Sequence, residues 1–337
     1  MRHGGNLDAA VQRYAIAHGD WLDLSTGINP RAYPLPAVAS ASAVLTRLPS
    51  AAREALLREV ARKAYGAPVG AAIAAAPGSQ ILIQLAARLR AGAQVAIVSP
   101  TYSEHAIAWA REGAMVSEIA TLSEVGDAHV VVLANPNNPD GRRHAPSDLA
   151  AMAGRLGASG GLLVVDEAFA DVMPELSAAP YAGMPGLIVL RSFGKMYGLA
   201  GVRLGFALGA KEDIGKLAAW LGPWAVPGPA IEAGIAALSD GAWAEAARTA
   251  IDREAGELAG LLARHGLDVV ANVGLFVLAS HPRAADVADQ LARRGIWVRT
   301  FDYAPTWLRF GLPGEATAMA WLDRAMRDAK DVIPRTP

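Results

Sequence analysis

Short apolar runs alternating with helical patterns as far as residue 208 predict an α/β fold with a mainly parallel sheet. A change of rhythm after about residue 211, to long helical patterns mixed with isolated short strands, predicts a smaller α+β domain beside it. Apolar spacing predicts helices at Leu7–Ala17, Ala51–Tyr65, Ser79–Arg90, Ser103–Gly113 and Pro146–Leu156. Strands are expected at Trp21–Leu24, Val95–Val98, His129–Ala134, Leu162–Val165, Leu187–Leu190 and Val202–Leu208. The Pro30–Pro36 stretch reads as a linker, and the Ala-rich 71–76 segment as a short packing element. Beyond residue 211 come helices at Lys211–Leu221, Pro229–Leu238, Ala242–His265 and Ala284–Arg294, and a last one from Glu315. Strands at Leu275–Ala279, Ile296–Arg299 and Leu308–Phe310 complete that part. The expected division is a large domain over 31–230 and a small one formed by 1–30 with 231–337.

Hydrophobic residues make up 53% of the 337-residue chain and charged residues 19%, a globular composition. With a formal net charge of −1, no global field draws the protein to nucleic acid or an anionic membrane. Runs such as Val130–Ala134 are too short to cross a bilayer, and the segment Met1–Asn6 lacks the apolar stretch of a signal peptide. A cytoplasmic protein is expected. The absence of cysteine excludes disulfides and thiolate metal ligands, and no metal is expected.

Lysine is scarce, at Lys63, Lys195, Lys211, Lys216 and Lys330 only. Lys195 lies in a glycine-rich segment, Arg191-Ser-Phe-Gly-Lys-Met-Tyr-Gly, directly after an apolar strand, whereas the others fall in charged helical or terminal patterns. Asp166 and the Asn135-Pro-Asn-Asn-Pro-Asp-Gly segment also follow apolar strands, where ligands bind in open α/β sheets. Pro77-Gly78-Ser79-Gln80 opens a helix whose free N–H groups favour an anion, and Arg203 lies between small residues, as a phosphate clamp would. Taken singly, each is ambiguous. Lys195 could be a solvated loop lysine, Asp166 a helix cap, Arg203 an edge-strand charge and Tyr102 a core tyrosine. Together they supply what pyridoxal phosphate needs: an amine for a Schiff base, an acid to keep the pyridine nitrogen protonated, and donors for the phosphate and ring oxygen.

In order along the chain stand Gly78-Ser79-Gln80, Pro100-Thr101-Tyr102, Asn137-Asn138-Pro139, Val165-Asp166-Glu167-Ala168, Ser192-Phe193-Gly194-Lys195 and Gly201-Val202-Arg203-Leu204-Gly205. This set resembles the fold-type-I pyridoxal-phosphate-dependent transferases, in the branch containing histidinol-phosphate aminotransferase and threonine-phosphate decarboxylase, over essentially the whole chain. The resemblance implies that Lys195 carries the cofactor, Asp166 pairs with the pyridinium nitrogen, Tyr102 stacks on the ring and Asn138 holds the ring oxygen. Ser79, Gln80, Ser192 and Arg203 would bind the cofactor phosphate.

Within that branch His3-Gly4-Gly5-Asn6, followed by Asp23-Leu-Ser-Thr-Gly-Ile-Asn-Pro30, looks like the threonine-phosphate decarboxylase family, whose product enters cobalamin biosynthesis. That implies decarboxylation of L-threonine O-3-phosphate to (R)-1-aminopropan-2-yl phosphate by a homodimer. Arg309 would take the α-carboxylate and Arg299 the substrate phosphate, with His3, Gly4, Gly27 and Asn138 contributing. Surface ion pairing is the other reading of the two arginines. Three positions depart from the family pattern: Phe169 for a tyrosine, Gly194 for a hydroxyl residue, and Asp140 for a threonine. The first two would remove roughly one hydrogen bond each from the cofactor. An aminotransferase acting on histidinol phosphate or another phosphorylated amino acid would share scaffold and cofactor. A regulator retaining the cofactor as a ligand is disfavoured by the want of a basic DNA-binding segment.

Overall fold

Apolar runs that alternate in side-chain direction, so that both faces of a sheet need cover, build the larger of two compact units in this computed structural model, which describes residues 4–329. That unit is Tyr33–Glu245; the other joins the residues up to Ala32 to those from Ala246. The larger unit's seven-stranded sheet has the spatial order Ala72–Ala76, Gly205–Gly209, Leu187–Ser192, Leu162–Asp166, Val130–Ala134, Gln94–Val98, Met115–Ile119. The last five are mutually parallel, while Gly205–Gly209 runs antiparallel to both its neighbours. Registers Ala76↔Gly205↔Ser192 and Ala134↔Asp166↔Leu190 bring the ends that precede the chemistry-bearing motifs to one edge.

Alternation sorts the strand residues into two cores. Val131, Leu133, Leu163, Val165, Val189 and Phe206 pack with the helices Ala51–Ala64, Pro146–Ala158 and Gly228–Ser239. On the opposite face Val130, Val132, Leu162, Val164 and Ile188 meet the helices Ser79–Arg88, Glu104–Arg111 and Lys211–Leu221. The helix Gly228–Ser239 therefore belongs to the larger unit, through Ala230, Ile231, Ala237 and Leu238, although a boundary at residue 230 would divide it.

Sequence and structure differ where the apolar signal is thin. Ala72–Ala76 is an edge strand, recognisable beforehand only as an Ala-rich packing segment, and Met115–Ile119 is an exposed edge interrupted by Ser117 and Glu118. The strand expected from Val202 begins at Gly205, because 200–202 form a 3-10 turn and Arg203 is left-handed with φ 56°.

In the smaller unit four antiparallel strands lie in the order Arg299–Thr300, Trp307–Gly311, Phe276–Ser280, Asp268–Asn272. The Ile296–Arg299 strand divides in two: Ile296–Trp297 pairs with Leu22–Asp23, and Arg299–Thr300 pairs with Trp307–Gly311. Tyr14, Trp21 and Trp297 close this corner edge to face, with centroids 5.9–6.2 Å apart. No described helix is long and apolar enough to cross a membrane.

Leu133 is fully buried in the first core and Met115 is 63% exposed on the sheet edge. Leu133→Ala should lower unfolding stability by about 2–5 kcal/mol, against within about 0.5 kcal/mol for Met115→Ala. Equal denaturation midpoints for the two variants would contradict this assignment of the core.

Candidate active site

Asp166 closes the Leu162–Asp166 strand and is 5% exposed. Its Oδ1 accepts the Ala168 N–H at 3.0 Å, and its Oδ2 lies 2.9 Å from Nε2 of His105, itself 1% exposed. The contact joins a ring nitrogen of His105 to a carboxyl oxygen and fixes the direction in which Asp166 faces. His105 went unnoticed in the sequence. The available signal was its place three residues after Tyr102, where helical spacing brings side chains together. The two rings meet edge to face at 6.2 Å.

Tyr102 is half-buried, and its hydroxyl donates to Oε1 of Gln80 at 3.0 Å, while Gln80 Nε2 donates to Glu104 at 3.2 Å. Burial pushes the Tyr102 phenol up to about 12; Glu104 and Asp166 add to this and Arg203 opposes it. With its side chain so engaged, Gln80 offers an anion its main-chain N–H.

Three backbone segments converge where the sequence places the phosphate. Gly78, at φ 91°, precedes the helix Ser79–Arg88, and no side chain caps that helix. A Cβ on Gly78 would stand 2.5 Å from Arg203 Nη2, and one on Gly205 would stand 2.4 Å from the Ser79 nitrogen. The two glycines thus admit the guanidinium to an uncapped helix N-terminus, an arrangement that suits a phosphate. Arg203 Nη1 donates to the Ala200 carbonyl at 3.1 Å, and Ser192 ends the adjoining strand.

Lys195 sits in the turn after Ser192, with Nζ 5.6 Å from the centroid of the Phe169 ring. Close packing accounts for one departure beside it: a Cβ on Gly194 would lie 2.6 Å from the Ala200 α-carbon, so a hydroxyl residue does not fit this backbone. Asp140, a second departure, has an architectural task. Its carboxylate accepts Asn137 Nδ2 at 2.7 Å, Arg142 N at 3.0 Å and Arg142 Nη2 at 2.6 Å, bracing the loop that carries Asn138. An amine, a buried acid, an aromatic ring and an anion cradle in one unit are the donor set that pyridoxal phosphate requires, and these residues fit it.

Beneath Asp166, Arg191 donates to both Glu167 and Asp171 and lies 4.3 Å from the centroid of the Tyr65 ring. Glu167 also accepts Ser177 Oγ and the Ala178 N–H, each at 2.6 Å. This buried network ties the chain after Asp166 to the strand that leads to Lys195.

In the smaller unit, Arg299 and Arg309 are cross-strand partners. Arg309 is 7% exposed, its Nη2 donates to the Ser25 carbonyl at 2.8 Å, and its guanidinium lies 5.0 Å from the Phe276 centroid. Burial, then the neighbouring Arg299, pulls the Arg309 guanidinium below the ordinary arginine range; burial does the same to Arg299. An arriving anion relieves both effects. Gly27 is buried and Gly4 abuts Ser25, while His3 lies outside the described residues.

A family model described as aminotransferase class I and II matches residues 20–320. Threonine-phosphate decarboxylase of Sinorhizobium sp is 45% identical over 330 residues, covering 97% of this chain and 96% of that protein. Threonine-phosphate decarboxylase of Pseudomonas aeruginosa is 43% identical over 334 residues, 98% of each. The solved histidinol-phosphate aminotransferase of Sinorhizobium meliloti, in complex with pyridoxal-5'-phosphate, superposes with a TM-score of 0.82 at 21% identity, covering 96% of this chain and 93% of that one.

Arg191→Met would leave Glu167 and Asp171 buried without their cation, a loss of about 3–5 kcal/mol. Adding Glu167→Gln should restore part of it. A single variant as stable as the parent in chemical denaturation would refute this role for the network.

Proposed function

This chain belongs to the class I and II aminotransferase family, and from that premise we propose that it decarboxylates L-threonine O-3-phosphate to (R)-1-aminopropan-2-yl phosphate, a step of cobalamin biosynthesis. Its cofactor is pyridoxal 5'-phosphate, which when bound supplies an electron sink for breaking a bond at Cα. Lys195 would hold it covalently, and the Asp166 carboxylate, oriented by the His105 and Ala168 contacts, would face its ring nitrogen as the paired acid. Ser79, Gln80, Ser192 and Arg203 hold its phosphate. Tyr102 packs on its ring, and Asn138 donates to its ring oxygen without help at position 169, where phenylalanine has no hydroxyl.

The observation that carries the substrate is the Arg299–Arg309 pair, two adjacent cations on neighbouring strands in a chain 45% identical to a threonine-phosphate decarboxylase. Arg309 takes the α-carboxylate and Arg299 the phosphate, a match to a substrate with two anionic ends. Leu35, Leu45, Leu48 and Trp224 are at least half exposed on the larger unit, apolar side chains that a second copy of the chain would cover. They join the Trp220–Pro229 stretch as support for a homodimer. A cytoplasmic location is part of the same reading.

Product analysis tests the reaction: with L-threonine O-3-phosphate the enzyme should release carbon dioxide and the amine phosphate in equal amounts. A 2-oxo acid as main product would establish transamination instead. Arg299→Ala should weaken phosphothreonine roughly ten- to a hundredfold and L-threonine far less, whereas Arg309→Ala should weaken both. Equal losses of both ligands in Arg299→Ala would refute its assignment to the phosphate. Sedimentation at micromolar concentration should give a dimer, and a fully active monomer would exclude that assembly.

A further inference from the structure

The Asp23-Leu-Ser-Thr segment is stitched into both arginine-bearing strands. Leu22–Asp23 pairs with Ile296–Trp297, and the Leu24 N–H donates to the Trp297 carbonyl at 2.8 Å, two residues before Arg299. On its other side the Leu24 carbonyl accepts the Gly311 N–H at 2.7 Å, two residues after Arg309. A Cβ on Gly311 would stand 2.1 Å from the Thr26 carbonyl oxygen, so the two chains run in direct backbone contact.

Ser25, with no exposed surface, is where this splint meets the N-terminal arm. Its Oγ donates to Asp23 Oδ1 at 2.6 Å and accepts the Gly5 N–H at 2.8 Å; its own N–H donates to the same Asp23 oxygen at 2.9 Å. Its carbonyl oxygen accepts Arg309 Nη2. That same oxygen would lie 2.3 Å from a Cβ on Gly4, and Gly5 has φ 80°. Glycine is therefore required twice in the arm: once to let the chain touch the carbonyl that holds Arg309, and once to turn away from it.

We infer that Ser25 is a positioning residue through which the Gly4-Gly5 arm and Arg309 are held in one register, so that the arm sets carboxylate recognition as well as any contact with phosphate. This rests on the reading of Arg309 as the carboxylate ligand. An arm that served phosphate alone would need no contact with the Ser25 carbonyl. Coupling of this kind is reciprocal: what loosens the arm displaces Arg309, and what removes Arg309 loosens the arm.

Gly4→Ala leaves every core side chain in place and strikes the junction itself. In the holoenzyme it should weaken L-threonine, which lacks the phosphate, by roughly three- to tenfold, the worth of about one hydrogen bond. Ser25→Ala should do the same. Conversely, Arg309→Met should speed hydrogen exchange of the Gly5 amide by about the same factor. Unchanged L-threonine affinity in Gly4→Ala, with phosphothreonine alone weakened, would overturn the inference. Unchanged Gly5 exchange in Arg309→Met would overturn it too. Failure of the decarboxylase reading would be seen separately, in the wild-type enzyme's products, and the exchange measurement needs no substrate.

Discussion

Asp166 ends a strand buried along its whole length, and the oxygens of a carboxyl group buried there must find their hydrogen-bond partners inside the protein. Two are present, the His105 ring and the Ala168 N–H, and much of the surrounding structure is explained by the need to hold them. His105 comes from the opposite core, on the helix Glu104–Arg111, whose Ala108 and Trp109 pack against the sheet. Ala168 belongs to the loop that Glu167 pins by accepting from Arg191, Ser177 and Ala178. The acid is thus held by a helix packed on the sheet and by the loop that follows its own strand. A carboxyl group so held would meet a bound pyridine nitrogen with little reorganisation.

Arg191 extends this constraint to the amine. It sits on the strand Leu187–Ser192, Lys195 follows four residues later, and Phe193 stacks on Tyr197 at 4.7 Å on the underside of the same turn. Tyr197 in turn stacks on Trp243 at 5.4 Å. Acid, amine and phosphate cradle therefore stand on rigid strand ends and packed rings, with the glycines at 78, 194 and 205 setting how closely the segments approach.

The buried strands were legible because a strand covered on both faces must be apolar throughout, as Val130–Ala134 and Leu162–Val165 are. Edge strands need no such run, and Met115–Ile119, with Ser117 and Glu118, carried none. Among the candidate residues, Asp166, Asn138 and Lys195 stand just past apolar runs, which made them candidates by position, while their roles came only from the ordered set of motifs. Partners brought in from elsewhere could not be found in this way. His105 lies 61 residues before Asp166, and only sheet order brings them together. Arg203 was recognised as a cation, but its left-handed backbone is imposed by the turn at 200–202. Gly194, which reads as a lost hydrogen bond, and Asp140, a further departure from the family pattern, are explained by what they touch: the Ala200 backbone in one case, Asn137 and Arg142 in the other.

The measurement that tests the central role of Asp166 most directly is turnover of Asp166→Asn, made alongside borohydride reduction and peptide mapping of the bound cofactor. The amide keeps the shape of the side chain but cannot keep the ring nitrogen protonated. The cofactor should still be fixed to Lys195 while decarboxylation falls by several orders of magnitude. Near-normal turnover with the label on Lys195 would contradict the account.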